Sequence, residues 1–318
     1  MARRNPSLGD GAALDVAPPR TLWLSRALGW VSARAPLHLA IILLALIWSV
    51  PTLALLLSSF REPTAIASSG WWNIITEPFD LTLGNYGEVL GKRGMGRAFI
   101  NSLIITVPST ILAILVAAFA AYAFAWMKFP GRNVLFLIVV ALLVVPVQMT
   151  IIPVLQLYVN LSIKTELPLL GGNIFGINSY PGMWVAHTAY GLPFAIFLLR
   201  NFFGALPRDL FESAYLDGAS DLRVFFRLVL PLSMPAIAAL AIFQFMWVWN
   251  DLLLALILMG DPSVRPMTVQ IQTLVSSFGT NYQVLTAAAF ISMMLPLAVF
   301  FALQRYFVQG VLAGSVKG

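Results

Sequence analysis

Residues 98–127 of the chain read AFINSLIITVPSTILAILVAAFAAYAFAWM, without a single charged side chain. A helix over this stretch is long enough to cross the hydrocarbon core of a bilayer, which is about 30 Å thick, because each helical residue adds about 1.5 Å. Four further uncharged stretches follow it, at residues 133–163, 167–199, 228–250 and 266–304. These stretches predict an integral membrane protein whose spans are helices.

The composition of the whole chain agrees with this prediction. Of its 318 residues, 59% are hydrophobic and 10% are charged, whereas soluble domains carry roughly 25% charged residues. The net charge of +6 does not indicate a nucleic-acid partner, because the basic residues form no stripe with interleaved aromatic residues. The absence of cysteine excludes disulfides and zinc–thiolate sites, and two histidines, His38 and His187, are too few for a metal cluster.

The fold class that we predict is all-α, with six transmembrane helices near residues 37–59, 100–126, 133–157, 182–203, 235–258 and 284–305. Residues 1–36 are expected to form a cytoplasmic tail and an interfacial amphipathic helix, and residues 37–318 the membrane domain, which ends in a tail at 306–318. Because proline removes a backbone hydrogen bond, we expect kinks in the spans that contain Pro51, Pro108, Pro146, Pro153, Pro193 or Pro296.

The Lys and Arg residues indicate how the chain is oriented. If both termini are cytoplasmic, thirteen of the 19 Lys and Arg residues lie on the cytoplasmic side and six lie on the other, as the positive-inside rule favours. Lys92, Arg93 and Arg97 run against this trend. In this topology residues 60–97 form a long external loop, and residues 204–234 form the largest cytoplasmic loop, which we call the coupling loop.

Within the coupling loop, the local signals predict two short helices separated by a glycine. Pro207 suits the first position of a helix, and Gly218 suits a helix stop. Ser220 and Asp221 suit the cap of a second helix. The predicted apolar faces are Leu206, Leu210 and Ala214 in the first helix, and Leu222, Phe225, Phe226 and Val229 in the second. Such a unit could dock on another protein or cap its own bundle, and physics alone weights the two equally.

The order of residues in this loop resembles the EAA motif of ABC-importer permeases. Glu212-Ser213-Ala214 is followed by Gly218 and, after nine intervening residues, by Leu228 and then Leu230-Pro231. The motif usually has Ala where this chain has Ser213 and Ile where it has Leu228. In that family the loop carries the coupling helix, which fits a cleft on the ATPase subunit. The resemblance implies that the ATPase contact contains Glu212, Ser213, Ala214, Asp217, Gly218, Leu230 and Pro231.

The rest of the chain is similar to the second permease of maltose-type carbohydrate importers. The resemblance lies in the ending from Gln304 to Gly318, in Leu83, Asn85-Tyr86 and Asn101-Ser102, and in Phe245 with Trp249-Asn250-Asp251. Residues 69–72 (Ser-Gly-Trp-Trp) and the stretch 163–180 resemble alpha-glucoside permeases in particular.

This resemblance implies a set of partners and a location. The partners are a second permease subunit, two ABC ATPase subunits that bind ATP and Mg, an extracytoplasmic sugar-binding protein and a sugar, in the cytoplasmic (inner) membrane of a bacterium or archaeon. The C-terminal tail, with Gly310, Gly314 and Lys317, would contact the ATPase pair.

Asp251 is the one acidic residue well inside an uncharged region, and an ionised carboxylate there costs about 2.5–3.5 kcal/mol on insertion scales. With Trp249 and Asn250 it could line a path for a sugar, since aromatic faces and amides suit hydroxylated rings. The alternative, which we weight ahead, is a packing and hydrogen-bonding cluster that holds the fifth span. For His187 a satisfied core histidine is the more frequent case than a proton relay.

No catalytic residues are predicted, and the chain is therefore expected to be a transport subunit and not an enzyme. The stretch from Gly84 to Arg93 lacks the glycines of a phosphate-binding loop, so we expect no ATP and no other cofactor on this chain. The predicted function is the translocation of a sugar, an oligosaccharide or alpha-glucoside, by alternating access. The alternative is an ion-coupled secondary transporter or channel subunit, for which we would expect several intramembrane charges and an internal repeat.

Overall fold

The computed structural model describes residues 20–76, 81–164, 173–277 and 282–315. The chain divides into two compact units, Met1–Leu55 and Leu56–Gly318. The second unit contains every site discussed below.

The described part of the chain is almost entirely helical. In chain order the α-helices are α1 (Arg20–Phe60), α2 (Pro63–Ser68), α3 (Gly84–Gly87), α4 (Met95–Trp126), α5 (Arg132–Leu142), α6 (Val147–Asn160), α7 (Tyr180–Gly204), α8 (Arg208–Leu216), α9 (Asp221–Val224), α10 (Leu230–Leu232), α11 (Met234–Trp249), α12 (Leu253–Leu258), α13 (Met267–Ser277) and α14 (Tyr282–Ser315). Shorter elements are a 3₁₀ turn at Trp71–Ile75, π-helical turns at Glu88–Lys92 and Phe225–Val229, and a small antiparallel pair of strands, β1 (Ile163–Lys164) and β2 (Asn173–Phe175).

Among the described residues, four helices are long and apolar enough to cross a membrane: Ala35–Phe60, Met95–Trp126, Tyr180–Gly204 and Tyr282–Ala302. Two bent helix pairs are long and apolar enough only when the halves of each are taken together: Arg132–Leu142 with Val147–Asn160, and Asp221–Leu232 with Met234–Trp249. Counting each bent pair as one span gives up to six. The predicted all-α membrane fold is confirmed, and the two-stranded hairpin is an addition that the sequence did not indicate.

The predicted third span, 133–157, is not a single straight helix. Its two halves are bent by 100° at the residues between Leu142 and Val147. The bend follows from Pro146, which adopts extended backbone angles (φ −64°, ψ 130°) and cannot donate a backbone hydrogen bond. A proline also disfavours helical geometry in the residue before it, here Val145. By contrast, Pro108, Pro153, Pro193 and Pro296 lie inside helices.

Two other segments differ from the sequence-based prediction. The expected interfacial helix near residues 22–33 and the first span form one continuous helix, α1. The expected fifth span, 235–258, is interrupted after Trp249 and resumes as α12 at Leu253. The interruption coincides with Asp251, whose carboxylate accepts hydrogen bonds from the amides of Leu254 and Ala255. A side chain that binds the free amides of a helix start in this way favours a new helix over a continuous one.

Helix α4 lies at the centre of the second unit and packs against α7, α11 and α13. Its contact face contains Ala113, Ala117 and Ala121, each fully buried, and α7 contributes the fully buried Ala195. Small residues allow membrane helices to approach closely, which is the main way that such helices gain van der Waals contact in lipid. The close packing of α4 with α7 places the ends of both helices beside the coupling loop.

Candidate functional site

Helix α8 of the coupling loop begins one residue later than predicted and ends at the glycine as predicted. Pro207 precedes the helix as its N-cap, and Asp209 lies in the first turn, where a negative charge is favourable. Gly218 has a φ of +75°, in the left-handed region that favours glycine. The amide of Ala219 donates to the carbonyl of Ala214 at 3.0 Å and closes the helix end.

The side chain that anchors α8 is Phe211, which is only 2% exposed. Its ring stacks on Trp126, the last residue of α4, with 3.5 Å between centroids and 19° between ring planes. Ala214, three residues later, packs on the same core cluster, whereas Leu210 is 40% exposed. The predicted stripe through Leu210 is therefore wrong at its middle position, because the larger aromatic residue takes the inward side.

The second half of the loop also differs in which side chains it buries. Val224, Phe225 and Val229 are buried, whereas Leu222 and Phe226 are 63% and 53% exposed. The prediction assumed a regular α-helix, but Phe225–Val229 is a π-helical turn. A π turn changes the rotation per residue, so Phe226, inside the turn, is exposed although Phe225 and Val229 are buried as expected. Leu222 lies before the π turn, in α9, and its exposure has no such cause.

A hydrogen bond joins the two halves of the coupling loop across Gly218. The hydroxyl of Tyr215 donates to Oδ1 of Asp221 at 2.8 Å. Burial raises the pKa of the Tyr215 phenol, and the neighbouring Asp221 carboxylate raises it further. The phenol therefore remains a protonated donor across the physiological pH range. Ser220 occupies the predicted cap position, without a side-chain hydrogen bond to the helix.

The predicted ATPase-contact residues separate into an outward and an inward group. Glu212, Ser213, Asp217, Gly218 and Pro231 are exposed, whereas Ala214 and Leu230 are half-buried against the core cluster. Leu216 is 89% exposed and lies one helical turn after Glu212. The sequence analysis missed Leu216, although an apolar residue outside the buried stripe of an amphipathic helix was a signal for it.

At the break between α11 and α12, Trp249 is a packing residue. It is 2% exposed, its indole N–H donates to the carbonyl of Ser292 at 3.0 Å, and its ring contacts Phe99 and Phe245. Asn250 is exposed and donates to the carbonyl of Met246 at 2.8 Å. Both observations favour the packing interpretation of this cluster.

Asp251 pairs with His187, a contact that the sequence analysis did not predict. Nε2 of His187 lies 3.2 Å from Oδ2 of Asp251, and Nδ1 lies 3.1 Å from the carbonyl of Met183. The His187 side chain is 1% exposed. Each ring nitrogen therefore has a polar partner within hydrogen-bond distance. The histidine is a core residue with partners, as expected, and one of them is the partly buried Asp251.

A cavity of about 680 Å³ lies close to this pair, between the α5–α6 bend, α7 and α11. Its lining is mostly apolar, with five side chains that carry polar groups: Thr150, Tyr158, Tyr190, Gln244 and Trp247. The amide of Gln244 lies against Gly191, where an added Cβ would be 2.5 Å from Nε2. Cavities of a few hundred to 1,000 Å³ with few polar groups are typical of ligand sites.

The cavity is connected to the His187–Asp251 pair through α11. Nε2 of Gln244 lies 3.4 Å from the carbonyl of His187, and the Trp247 ring meets the His187 ring edge-on at 5.6 Å. The residues of α11 that line the cavity therefore precede the predicted Trp249–Asp251 stretch by a few positions. Gln244, a polar side chain within an uncharged run, was the sequence signal that could have indicated them.

The remaining predicted sites are described only in part. Gly310 and Gly314 lie within α14, whose side chains beyond Gln304 are not described, and Lys317 lies outside the described residues. Residues 1–19 of the predicted N-terminal tail also lie outside them. Within the described ranges, no group of three or more His, Asp or Glu side chains could hold a metal ion.

Comparison with known proteins gives consistent matches over most of the chain. Residues 98–313 match the family model described as binding-protein-dependent transport system inner membrane component. The chain is 54% identical to the osmoprotective compounds uptake permease protein GgtD of Synechocystis sp., covering 89% of this chain and 92% of that protein. It is 40% identical to the alpha-glucoside transport system permease protein AglG of Rhizobium meliloti, covering 90% of this chain and 99% of that protein.

The fold also matches a solved structure. A chain from the crystal structure of a bacterial ABC transporter involved in the import of the acidic polysaccharide alginate superimposes with a TM-score of 0.69. The two chains are 22% identical, and the match covers 89% of this chain and 97% of the other. At this identity the likeness shows that the two chains share a fold.

Proposed function

The chain belongs to the family of binding-protein-dependent transport system inner membrane components, and from this premise we propose that it is a permease subunit of an ABC importer that carries a sugar into the cytoplasm. The chain is a transport subunit and not an enzyme. The observation that carries the proposal is the build of the coupling loop. Phe211 anchors the loop to α4, while Glu212 and Leu216 extend from its outer face.

The coupling loop has the features that a docking element requires. Its inner face is fixed by a stacked aromatic pair, and the exposed Tyr215–Asp221 hydrogen bond joins its two halves, so its outer face keeps one shape. That outer face carries an acidic side chain, Glu212, and an apolar side chain that is 89% exposed, Leu216. Exposed apolar side chains beside polar ones mark protein contacts. We assign this face to the ATPase, together with Ser213, Asp217, Gly218 and Pro231, while Ala214 and Leu230 support it from within.

The partners follow from the family and from the predicted topology. They are a second permease subunit, two ATPase subunits that hold ATP and Mg, and an extracytoplasmic sugar-binding protein. Both termini and the coupling loop lie on the cytoplasmic side of the inner membrane. The C-terminal tail, with Gly310, Gly314 and Lys317, contacts the ATPase pair.

The proposed substrate class is small glycosides, with alpha-glucosides first. A relative that shares 40% of its residues is an alpha-glucoside permease, and one that shares 54% takes up osmoprotective compounds. The cavity supports a sugar path at Tyr190, Gln244 and Trp247, because aromatic rings and an amide suit hydroxylated rings. Asn250 and Asp251 lie beside this path, and Trp249 holds α11 in place behind it.

Transport proceeds by alternating access. The ATPase subunits bind the coupling loop differently in their two nucleotide states, and that difference in binding free energy shifts the equilibrium between inward-open and outward-open arrangements. A loop that bound both states equally would shift nothing. The rigid attachment of α8 to the core ensures that a displacement of the loop reaches the spans.

The test begins with purification of the tagged chain from its native membrane. We expect two ATPase subunits and a second permease to co-purify, and proteoliposomes of the complex with its binding protein to accumulate labelled maltose or trehalose when supplied with ATP. Labelled glycine betaine serves as the comparison for an osmoprotectant that is not a sugar. Absence of any ATPase from the complex, or uptake that a proton ionophore abolishes and ATP does not support, contradicts the importer function.

A further inference from the structure

Side chains at both ends of helix α4 bind neighbouring segments. The first residues of α4 bind the segment 259–266 between α12 and α13, which we call the outer loop. Nδ2 of Asn101 donates to the carbonyls of Ser263 and Arg265 at 3.0 and 2.9 Å, and Oγ of Ser102 accepts from the amide of Met267 at 2.8 Å. Asn101 and Ser102 are both buried.

The outer loop is closed by hydrogen bonds between its own residues. Oδ1 of Asp261 accepts from both the amide and the hydroxyl of Ser263, at 2.8 and 2.7 Å. Nε of Arg265 donates to the carbonyl of Gly260 at 2.7 Å and closes the turn on itself. These bonds lower the pKa of Asp261, chiefly through the Ser263 hydroxyl. The Asn101 and Ser102 contacts therefore hold a preformed turn.

At its last turns α4 holds the coupling loop. The indole N–H of Trp126 donates to the carbonyl of Phe203, at the end of α7, at 3.0 Å, and its ring stacks on Phe211 of α8. One turn earlier, the ring of Tyr122 packs on Phe225 at 5.3 Å, and its hydroxyl lies 3.4 Å from that of Tyr215. The end of α4 thus contacts both halves of the coupling loop as well as α7.

Between these two ends α4 is one continuous helix. The distance along its axis from Asn101 to Trp126 is about 38 Å, which is enough to cross the membrane. The helix contains Pro108, but the hydroxyl of Ser109 donates to the carbonyl of Ile105 at 2.7 Å and the helix is not interrupted there. A helix of this kind transmits a displacement or a rotation along its length.

We propose that α4 links the coupling loop to the outer loop mechanically, with Trp126 as the positioning residue at one end and Ser102 at the other. The inference rests on the proposed function, because it takes the ATPase as the source of the movement. It extends that function by assigning one helix and two end contacts as the route by which the nucleotide state reaches the far side of the membrane. The outer loop then changes its position together with α8, and not independently of it.

The experiment is hydrogen exchange on the purified complex, with and without ATP plus vanadate. In the wild type, ATP changes the exchange of peptides from 206–231 and from 260–267. In Trp126→Ala the response at 206–231 persists, whereas the response at 260–267 falls by about fivefold or more, the lower range of allosteric coupling. Ser102→Ala reduces the response at 260–267, because the Met267 amide loses its acceptor while the two Asn101 bonds remain, and leaves 206–231 as in the wild type.

Trp126→Phe and Trp184→Phe form the matched pair for this experiment. Each loses one indole N–H bond to a backbone carbonyl between α4 and α7, because Trp184 donates to Ile104 at 2.7 Å. Trp126→Phe keeps a ring against Phe211, so it supplies a folded variant if Trp126→Ala does not assemble. We expect the exchange response at 260–267 to be weakened in Trp126→Phe and unchanged in Trp184→Phe.

The possible failures are distinguishable. If ATP leaves the wild-type peptides from 206–231 unchanged, the proposed ATPase coupling is wrong. If those peptides respond but 260–267 does not, or if 260–267 responds fully in the assembled Trp126 variants, the link through α4 is overturned and the proposed function stands.

Discussion

Nε2 of His187 in α7 lies 3.2 Å from Oδ2 of Asp251, so a buried histidine and a partly buried acid join α7 to the break between α11 and α12. The same carboxylate accepts from the amides of Leu254 and Ala255 and so caps α12. One side chain therefore fixes both the start of a helix and the position of its neighbour. This relationship explains why an acid is retained in a predominantly apolar region.

Asp251→Ala is expected to destabilise the chain. Loss of the cap costs about 0.5–2 kcal/mol, and leaving the buried His187 without its partner costs a further 1–3 kcal/mol or so. Thermal unfolding of the purified complex in detergent measures the change, and uptake is measured in parallel. Asn250→Ala is the control for stability alone, since the hydrogen bond described for that exposed amide lies within its own helix. If Asp251→Ala unfolds at the same temperature as the control and transports the sugar like the wild type, neither the packing role nor the path role of Asp251 is correct.

Gly191→Ala is expected to reduce uptake without much loss of stability. The added Cβ would lie 2.5 Å from Nε2 of Gln244, so the amide at the flexible end of that side chain must move away from its position in the cavity. Loss of one hydrogen bond of about 1 kcal/mol to the substrate corresponds to a fall in uptake of about fivefold.

Concentration-dependent uptake of the labelled sugar and the unfolding temperature check this prediction. Gly87→Ala is the control, because a Cβ there meets nothing within 4 Å. Equal uptake by the two variants would show that Gln244 does not contact the sugar.

Gly218→Ala is expected to weaken the coupling loop through its backbone alone. A Cβ at Gly218 meets no atom within 4 Å, but the φ of +75° costs an L-residue about 1–2 kcal/mol. The loop then populates other conformations, and fewer sugars are transported for each ATP hydrolysed. Gly218→Asn should restore much of the ratio of sugar transported to ATP hydrolysed, because asparagine tolerates this conformation better than alanine. If alanine and asparagine behave alike, the conformation of Gly218 does not set the coupling.

Leu216→Ser is expected to reduce ATPase association while leaving the permease itself stable. The side chain is 89% exposed, so the chain loses no packing of its own, whereas burying a leucine in a partner contributes about 1.5–3 kcal/mol. The yield of ATPase that co-purifies in detergent is the measurement. Leu83→Ser, at a side chain that is 71% exposed just before α3, is the matched control. A yield that falls equally in both variants would contradict a contact at Leu216.

The membrane fold and the site of the coupling loop could be predicted because they depend on local signals. An uncharged run such as 98–127 specifies a span whatever surrounds it, since lipid is the solvent and the backbone must bond within the segment. Gly218 was identified as a helix stop because the left-handed conformation is nearly a property of glycine itself. The spacing from Glu212 to Pro231 likewise lies within one short segment of chain.

The errors arose where a neighbouring element decided the outcome. Leu210 and Phe211 are both apolar, and Phe211 became the anchor because the ring of Trp126 offers it a stacking partner. The π-helical turn at Phe225–Val229 is likewise accommodated by packing, here of Phe225 on Phe119 at 4.7 Å. Periodicity specifies that a helix has an apolar face, and the shape of the opposing surface determines which residues form it.

By itself, the sequence determined that this chain crosses a membrane with helices and carries a glycine-terminated helix between its fourth and fifth predicted spans. Only the tertiary structure decided that His187 meets Asp251 across 64 residues of sequence, that a cavity opens beside the α5–α6 bend, and that α4 contacts both the coupling loop and the outer loop. The reason is physical: hydropathy and backbone preference act within a few residues, whereas a buried pair, a cavity and a link between two loops exist only after distant helices have packed together.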